Sequence, residues 1–260
     1  MTPENCVRTM HFLITNDDGF DAPGLAALYR ALSELGHVTV VAPSQCHSAK
    51  GHAVNTHVPI RVAHRDVEPF GRIDIVDGSP ADCVRVGLTG LNHQRPDFVI
   101  AGINPGANLG VDLFYSGTAA AAREAAIMGV PAIAVSRYVR AEVAIGWEQL
   151  VPHVTRAVAR LTHADHVLPA GQFWNLNFPA VPESDYPPDV TIAPQGVQSH
   201  EIIFEPIESS EDETLLQYQG VYSNRGQSGA CDVSHVFSDR IVATPVDLCN
   251  TAVHRDLRST

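Results

Sequence analysis

Residues 12–20 read FLITNDDGF, an apolar run that stops on an amide, two adjacent carboxylates and a glycine. The stretch 10–15 has the length and apolarity of a strand buried on both faces. Two aspartates side by side at the end of such a strand repel each other. Something positive must hold them, or solvent and helix ends must share the load. Beyond the turn NDDGFDAPG, Leu25, Leu28, Leu32 and Leu35 recur at helical spacing, Gly36 ends the helix, and 38–42 reads as a second strand closed by Pro43. That is one βαβ unit, and such units build parallel sheets with helices on both faces.

The alternation continues along the chain. Strands are expected at 73–76, 97–101, 132–135 and 173–178, and helices at 81–91, 118–128 and 148–161. The second helix is alanine-rich and is stopped by Gly129 and Pro131; the third carries Pro152, expected to kink it. Past Pro179 the composition changes. Pro, Glu, Ser and Asp dominate 181–189, and short β-like runs follow at 190–193, 214–222 and 240–244. The fold class is therefore α/β, a mostly parallel sheet over residues 1–180, with a β-rich C-terminal extension or arm of the same domain over 181–260. The acidic run ESSEDE (208–213) reads as a solvated turn.

With 260 residues, 45% hydrophobic and 18% charged, the chain can bury a substantial core. Its 17 Lys and Arg against 29 Asp and Glu leave a net charge of −12. That balance argues against long nucleic acid, whose phosphates need clustered cations, but not against a small phosphorylated substrate held through a metal. Five widely spaced cysteines without a CxxC favour reduced thiols over disulfides or structural zinc. The opening MTPENCVRTM lacks a basic segment followed by an apolar one, and nothing approaches the ~20 apolar residues of a membrane span. A soluble, cytoplasmic protein with no membrane partner is expected.

In an open α/β sheet, ligands bind outside the carboxyl ends of the strands. Four polar stretches follow expected strands: 16–19 (NDDG), 44–51 (SQCHSAKG), 78–82 (GSPAD) and 102–118 (GINPGANLGVDLFYSGT). Asp17 and Asp18 supply hard anionic oxygens suited to Mg²⁺ or Mn²⁺, and a bound cation would offset both charges. The plainer alternative is a strand-to-helix turn with an aspartate cap. Ser116, Gly117 and Thr118 precede the alanine-rich helix, where free N–H groups and two hydroxyls could seat a phosphate; ordinary Ser/Thr capping is again the alternative. His47 and His52 stand near Ser48 as further candidates. No GxGxxG, Walker loop, HExxH or GxSxG elbow occurs, and the paired acids are adjacent rather than spaced as DxD.

The stretches ITNDDGFDAPGL, VAPSQCHSAKG, DGSPADCV and AGINPGANLGVDLFYSGTAAAAREA, in this order from Phe12 to Glu124, resemble the SurE family of survival-protein nucleotidases. Weaker echoes occur at NLNFP (175–179) and at CDVSHV and TPVDL near the end. The resemblance implies a Rossmann-like domain with a C-terminal arm, assembled as a homodimer or homotetramer by arm exchange. It implies metal-dependent hydrolysis of nucleoside 5′- and 3′-monophosphates, with one Mg²⁺ or Mn²⁺ per subunit. Carried over, the metal ligands are Asp17, Asp18, Ser48 and Asn104, and Asn16 lies at the same site. Ser116, Gly117 and Thr118 hold phosphate oxygens. Asp17 and Asp18 are the catalytic carboxylates, with attack by water and attack by Asp17 itself both open. Ser79 stands where the family has Thr, and Ala101 where it has Ser. The family's GYVSVTPL-type strand reads SDRIVATPVDL, without the His that follows it. A receiver domain would want a later strand-end Lys that is missing; against a metal- and nucleotide-binding sensor without turnover stand the intact Asp17, Asp18, Ser48 and Asn104, while the altered C-terminal arm leaves it room.

Overall fold

The apolar run that opens the chain becomes the central strand β1 (Met10–Thr15), buried from His11 onward. In the computed structural model, which describes residues 9–226 and 229–249, its side chains alternate between two apolar layers. Phe12 and Ile14 enter one and Leu13 the other. The chain continues through α1 (Pro23–Ser33), β2 (Gly36–Pro43), β3 (Val62–Val67), β4 (Gly71–Val76), α2 (Pro80–Arg85) and β5 (Phe98–Pro105). Then come α3 (Gly117–Ile127), β6 (Ala132–Arg137), α4 (Trp147–Thr162) and β7 (Gln172–Phe178). β8 (Val190–Ile192), β9 (Phe204–Ser209), β10 (Thr214–Tyr218), α5 (Asp232–Phe237) and β11 (Ile241–Asp247) complete it.

Nine strands form one sheet in the order β3-β4-β2-β1-β5-β6-β7-β11-β8. Every pairing is parallel except β3 with β4 and β7 with β11. From β1 the chain winds one way to β2 and β4, then crosses back to β5 on the other side. The strand order reverses between β1 and β5, and a crevice opens outside their carboxyl ends. Leucines 25, 28 and 32 of α1 and Leu150, Val154 and Leu161 of α4 cover one face. On the other, α2 and α3 pack through Cys83, Val84 and the small side chains Ala119, Ala122 and Ala125.

Three features differ from the sequence expectation. The helix expected over 81–91 is α-helical only to Arg85 and then widens into a single π-turn, Val86–Gly90. β3, β9 and α5 were not anticipated, and β9 takes in the first two residues of the run read as a solvated turn. β3 is an outer strand with exposed His64, Arg65 and Asp66, so it lacks an apolar signature. α4 runs unbroken through Pro152, which sits on the exposed side where water can meet the carbonyl it leaves unpaired. Of the stretch beyond residue 180, β8, α5 and β11 build onto the main body. Only the β9–β10 hairpin forms a sheet of its own. A third apolar cluster (Leu109, Tyr138, Cys231, Val236 and neighbours) packs this returning segment beneath the loop that follows β5.

Among the described residues no helix is long and apolar enough to cross a membrane. Cys46, Cys83, Cys231 and Cys249 are free thiols; Cys6 lies outside the described residues.

The end of β5 is set by close backbone packing. The β5/β6 ladder shifts register between Ala101 and Asn104, which re-aims the strand end at the crevice. A Cβ at Gly24, the second residue of α1, would collide with the carbonyl oxygen of Ile103. Gly24→Ala should therefore lower the unfolding free energy by about 1–3 kcal/mol through overpacking. The urea midpoint reads this directly; an unchanged midpoint would show that α1 and β5 can part without cost.

Candidate active site

β1 delivers Asn16 and Asp17 to the crevice in nearly full burial, 1% and 4% exposed. The first turn of α3 meets them there. Thr118 Oγ1 donates to Asp17 Oδ1 at 2.7 Å, and Thr118 is fully buried. A Cβ on Gly117 would stand 2.8 Å from the Cβ of Asp17, so only glycine admits the carboxylate this close to the helix. Ser116 caps α3, its Oγ accepting from the Ala119 N–H at 3.0 Å. The 44–51 loop is tied in by the His47 N–H, which donates to the Asp17 carbonyl at 2.7 Å.

Burial pushes the Asp17 carboxyl above its ordinary value, opposed by its hydrogen bonds with Thr118. Asp18 is pushed up to about 6, first by burial and then by the charge of Asp17. The repulsion expected from the adjacent aspartates is thus present in the bare protein. Asp18 Oδ2 and Asn16 Oδ1 are both buried without a hydrogen-bond partner.

A cavity of about 290 Å³ opens beside them and gathers Asp17, Asp18, Ser48, Asn104 and Ser116 along its wall. Asn16, Gly117 and Thr118 stand behind that wall. Asn16 Nδ2 closes the turn onto the Gly19 carbonyl at 2.7 Å. The Thr118 hydroxyl is engaged by Asp17, so of the groups expected to meet phosphate at Thr118 the backbone N–H is the one this bond leaves aside. Neither His47 nor His52 lines the cavity; the His52 ring instead pairs with Glu124 at 2.7 Å.

Asp112, Tyr115 and His200 also line the cavity, and none was singled out from the sequence. Asp112 is a hub. Its Oδ2 accepts from Arg225 Nη1 (2.7 Å), Tyr222 Oη (2.7 Å) and the Leu109 N–H (2.9 Å), while Oδ1 faces His200 Nε2 at 2.5 Å. Asp232, fully buried, accepts from the Gly110 and Gly196 N–H groups at 2.7 Å each. Asn175 and Asn177 of β7 fix the backbone of Asn108 through a carbonyl and an N–H. The one signal available in the sequence was that pair: two amides in an otherwise apolar strand of a buried sheet call for partners.

The oxygens present fit a hard divalent cation. Asp18 Oδ2 and Asn16 Oδ1 lack partners, and Asn104 Nδ2 is committed to the Gly106 carbonyl at 2.6 Å, which leaves Oδ1 as its remaining donor atom. Among the described residues no three His, Cys, Asp or Glu side chains surround a common metal position. Two carboxylates with the Ser48 hydroxyl and the Asn104 amide oxygen are a hard donor set that would suit Mg²⁺ or Mn²⁺ better than zinc.

An aspartate whose carboxyl is raised by folding costs stability when ionised. The cost is absent below its unfolded value of 3.8, grows to about pH 6, and is complete above that. Asp18→Asn should therefore raise the Tm of protein in EDTA at pH 7, and the gain should vanish toward pH 4. Calorimetry across that range checks it, and a lowered Tm at pH 7 would contradict it.

The model of the family described as survival protein SurE matches residues 12–202. The 5′-nucleotidase SurE of Geotalea daltonii is 46% identical over 193 residues, 74% of each chain. That of Citrifermentans bemidjiense is 44% identical over 193 residues, again 74% of each. The crystal structure of the SurE protein from Aquifex aeolicus superposes with a TM-score of 0.78 at 30% identity, covering 93% of this chain and 94% of that one. Three of the four stretches that carry the resemblance meet in one cavity, while the fourth caps α2 through Ser79 and Asp82, and the match spans most of the chain: this protein belongs to the SurE family.

Proposed function

We propose that this protein is a divalent-metal-dependent phosphomonoesterase that converts nucleoside 5′- and 3′-monophosphates to nucleoside and phosphate. The observation that carries the reading is the adjacent pair of buried Asp17 and half-buried Asp18, with an unpartnered oxygen on Asp18, set against the N-terminus of α3. Relatives bearing the name 5′-nucleotidase support the same substrate class. Asp17, Asp18, Ser48 and Asn104 would hold Mg²⁺ or Mn²⁺. Once bound, such an ion supplies Lewis acidity to the phosphoryl group and acidifies water.

The chain's own groups divide the remaining work. The first turn of α3 favours the phosphate's negative charge through its dipole and N-terminal amides, with Ser116 on the cavity wall. Asp17 is clamped by Thr118, so Asp18, the carboxylate that the protein holds less tightly, takes the proton of the attacking water. Trapping a phosphorylated Asp17 would replace water with the aspartate as nucleophile. Across Ala107 a neighbouring cavity of about 570 Å³, walled by Tyr138 and Tyr222, has room for sugar and base.

Assembly belongs to the same proposal. The β9–β10 hairpin is exposed along its whole length yet carries Phe204, Ile207, Leu215 and Leu216. A lone hairpin is marginal in water, so a second copy of this chain covers it, in a homodimer or homotetramer. The free thiols accord with a reducing cytoplasm.

Phosphate release from a panel of 5′- and 3′-mononucleotides, with Mg²⁺, Mn²⁺ or EDTA, tests the reading. Release should require the metal, and Asp18→Asn should lower kcat/KM by about 10²–10⁴-fold while the protein stays folded. Saturable nucleotide binding without turnover would turn the reading to a sensor, and a monomer by light scattering would remove the assembly.

A further inference from the structure

We propose that His200 is the general acid that protonates the leaving nucleoside oxygen, an inference that rests on the phosphomonoesterase reading above. Hydrolysis of an alkyl phosphate places an electron pair on a poorly acidic sugar oxygen, which leaves readily only as it takes a proton. Asp17 and Asp18 lie on the metal and water side of this chemistry, so the proton has to come from another wall of the cavity.

His200, in the loop between β8 and β9, lines the same cavity as both aspartates and Ser116. Its Nε2 lies 2.5 Å from Asp112 Oδ1, which leaves Nδ1 as the nitrogen available to a bound substrate. A carboxylate behind an imidazole fixes the ring's orientation and stabilises its cation. Asp112 is itself held by Arg225, Tyr222 and the Leu109 N–H, so the dyad is pre-set. The groups facing His200 are this carboxylate, the Arg225 guanidinium with Nη2 3.5 Å from Nε2, and the ring edges of Tyr115 and Tyr222. Asp112 is the nearer charge, and Arg225 is paired with its other oxygen. Tyr115, the other proton-bearing ring on the cavity wall, stands 60% exposed at the rim.

The step balances. The water oxygen bonds to phosphorus as the bond from phosphorus to the sugar oxygen breaks. The electron pair of that bond stays on the sugar oxygen, which takes the His200 proton, and the water's proton passes to Asp18. Exchange with solvent resets both groups, and the products are nucleoside and inorganic phosphate.

The test compares a nucleoside 5′-monophosphate with p-nitrophenyl phosphate, whose phenolate leaves without a proton. His200→Gln should lower kcat on the nucleotide by about 10²–10⁴-fold, with a loss on the aryl ester at least about tenfold smaller. Added imidazole should restore nucleotide turnover to His200→Gly. Equal losses on both esters, with the circular dichroism unchanged, would overturn the assignment and leave His200 a packing role. If the variants do not fold, wild-type rates across substituted phenyl phosphates decide: weak dependence on leaving-group acidity supports the acid, and steep dependence overturns it. Wild-type protein that cleaves no ester with any metal would sink the phosphomonoesterase reading itself, and this proposal with it.

Discussion

The contact on which the site depends is that between the end of β1 and the start of α3. Thr118 reaches Asp17 from a helix that begins at Gly117, and the missing Cβ of that glycine is what lets strand and helix come so close. Three consecutive residues thus have different physical duties. Ser116 terminates the helix and faces the cavity, Gly117 makes room, and Thr118 holds the carboxylate. The alanines behind them serve the same end, since small side chains let α3 lie flat on the sheet.

A second constraint comes from the far end of the chain. The end of β5 carries Asn104 into the cavity and the loop after it carries Asp112 and Tyr115, and such a loop needs its backbone polar groups satisfied if it is to stay put. Arg225, Tyr222 and Asp232 meet that need from more than a hundred residues away. Arg225 is buried in doing so, and a buried guanidinium is tolerated only because Asp112 and the Leu109 carbonyl receive it. The returning C-terminal segment is therefore part of the site's scaffold as well as of the sheet, and only the hairpin is left to face outward.

The raised carboxyl of Asp18 belongs with these two constraints. Placing one buried and one half-buried aspartate side by side against a helix end gives up stability in the bare protein, and a cation, if bound, would relieve the ionised pair. Sites of this kind trade stability for function.

The stretch FLITNDDGF by itself determined the essential geometry. An apolar run of strand length followed by polar turn residues makes a central parallel strand, and its carboxyl end is where a doubly wound sheet binds ligands. The same local logic placed Ser48, Asn104 and Ser116 near one another, because each follows a strand or opens a helix at the same edge. Tertiary structure alone decided what no local pattern encodes: that Thr118 faces Asp17, that His200 meets Asp112, and that β11 re-enters the sheet between β7 and β8. The physical reason is that periodicity reports which face of an element is apolar, whereas polar pairs are chosen by whichever groups packing leaves buried together. Those partners lie 101 residues apart for Thr118 and Asp17, and such pairings exist only once the chain has closed on itself.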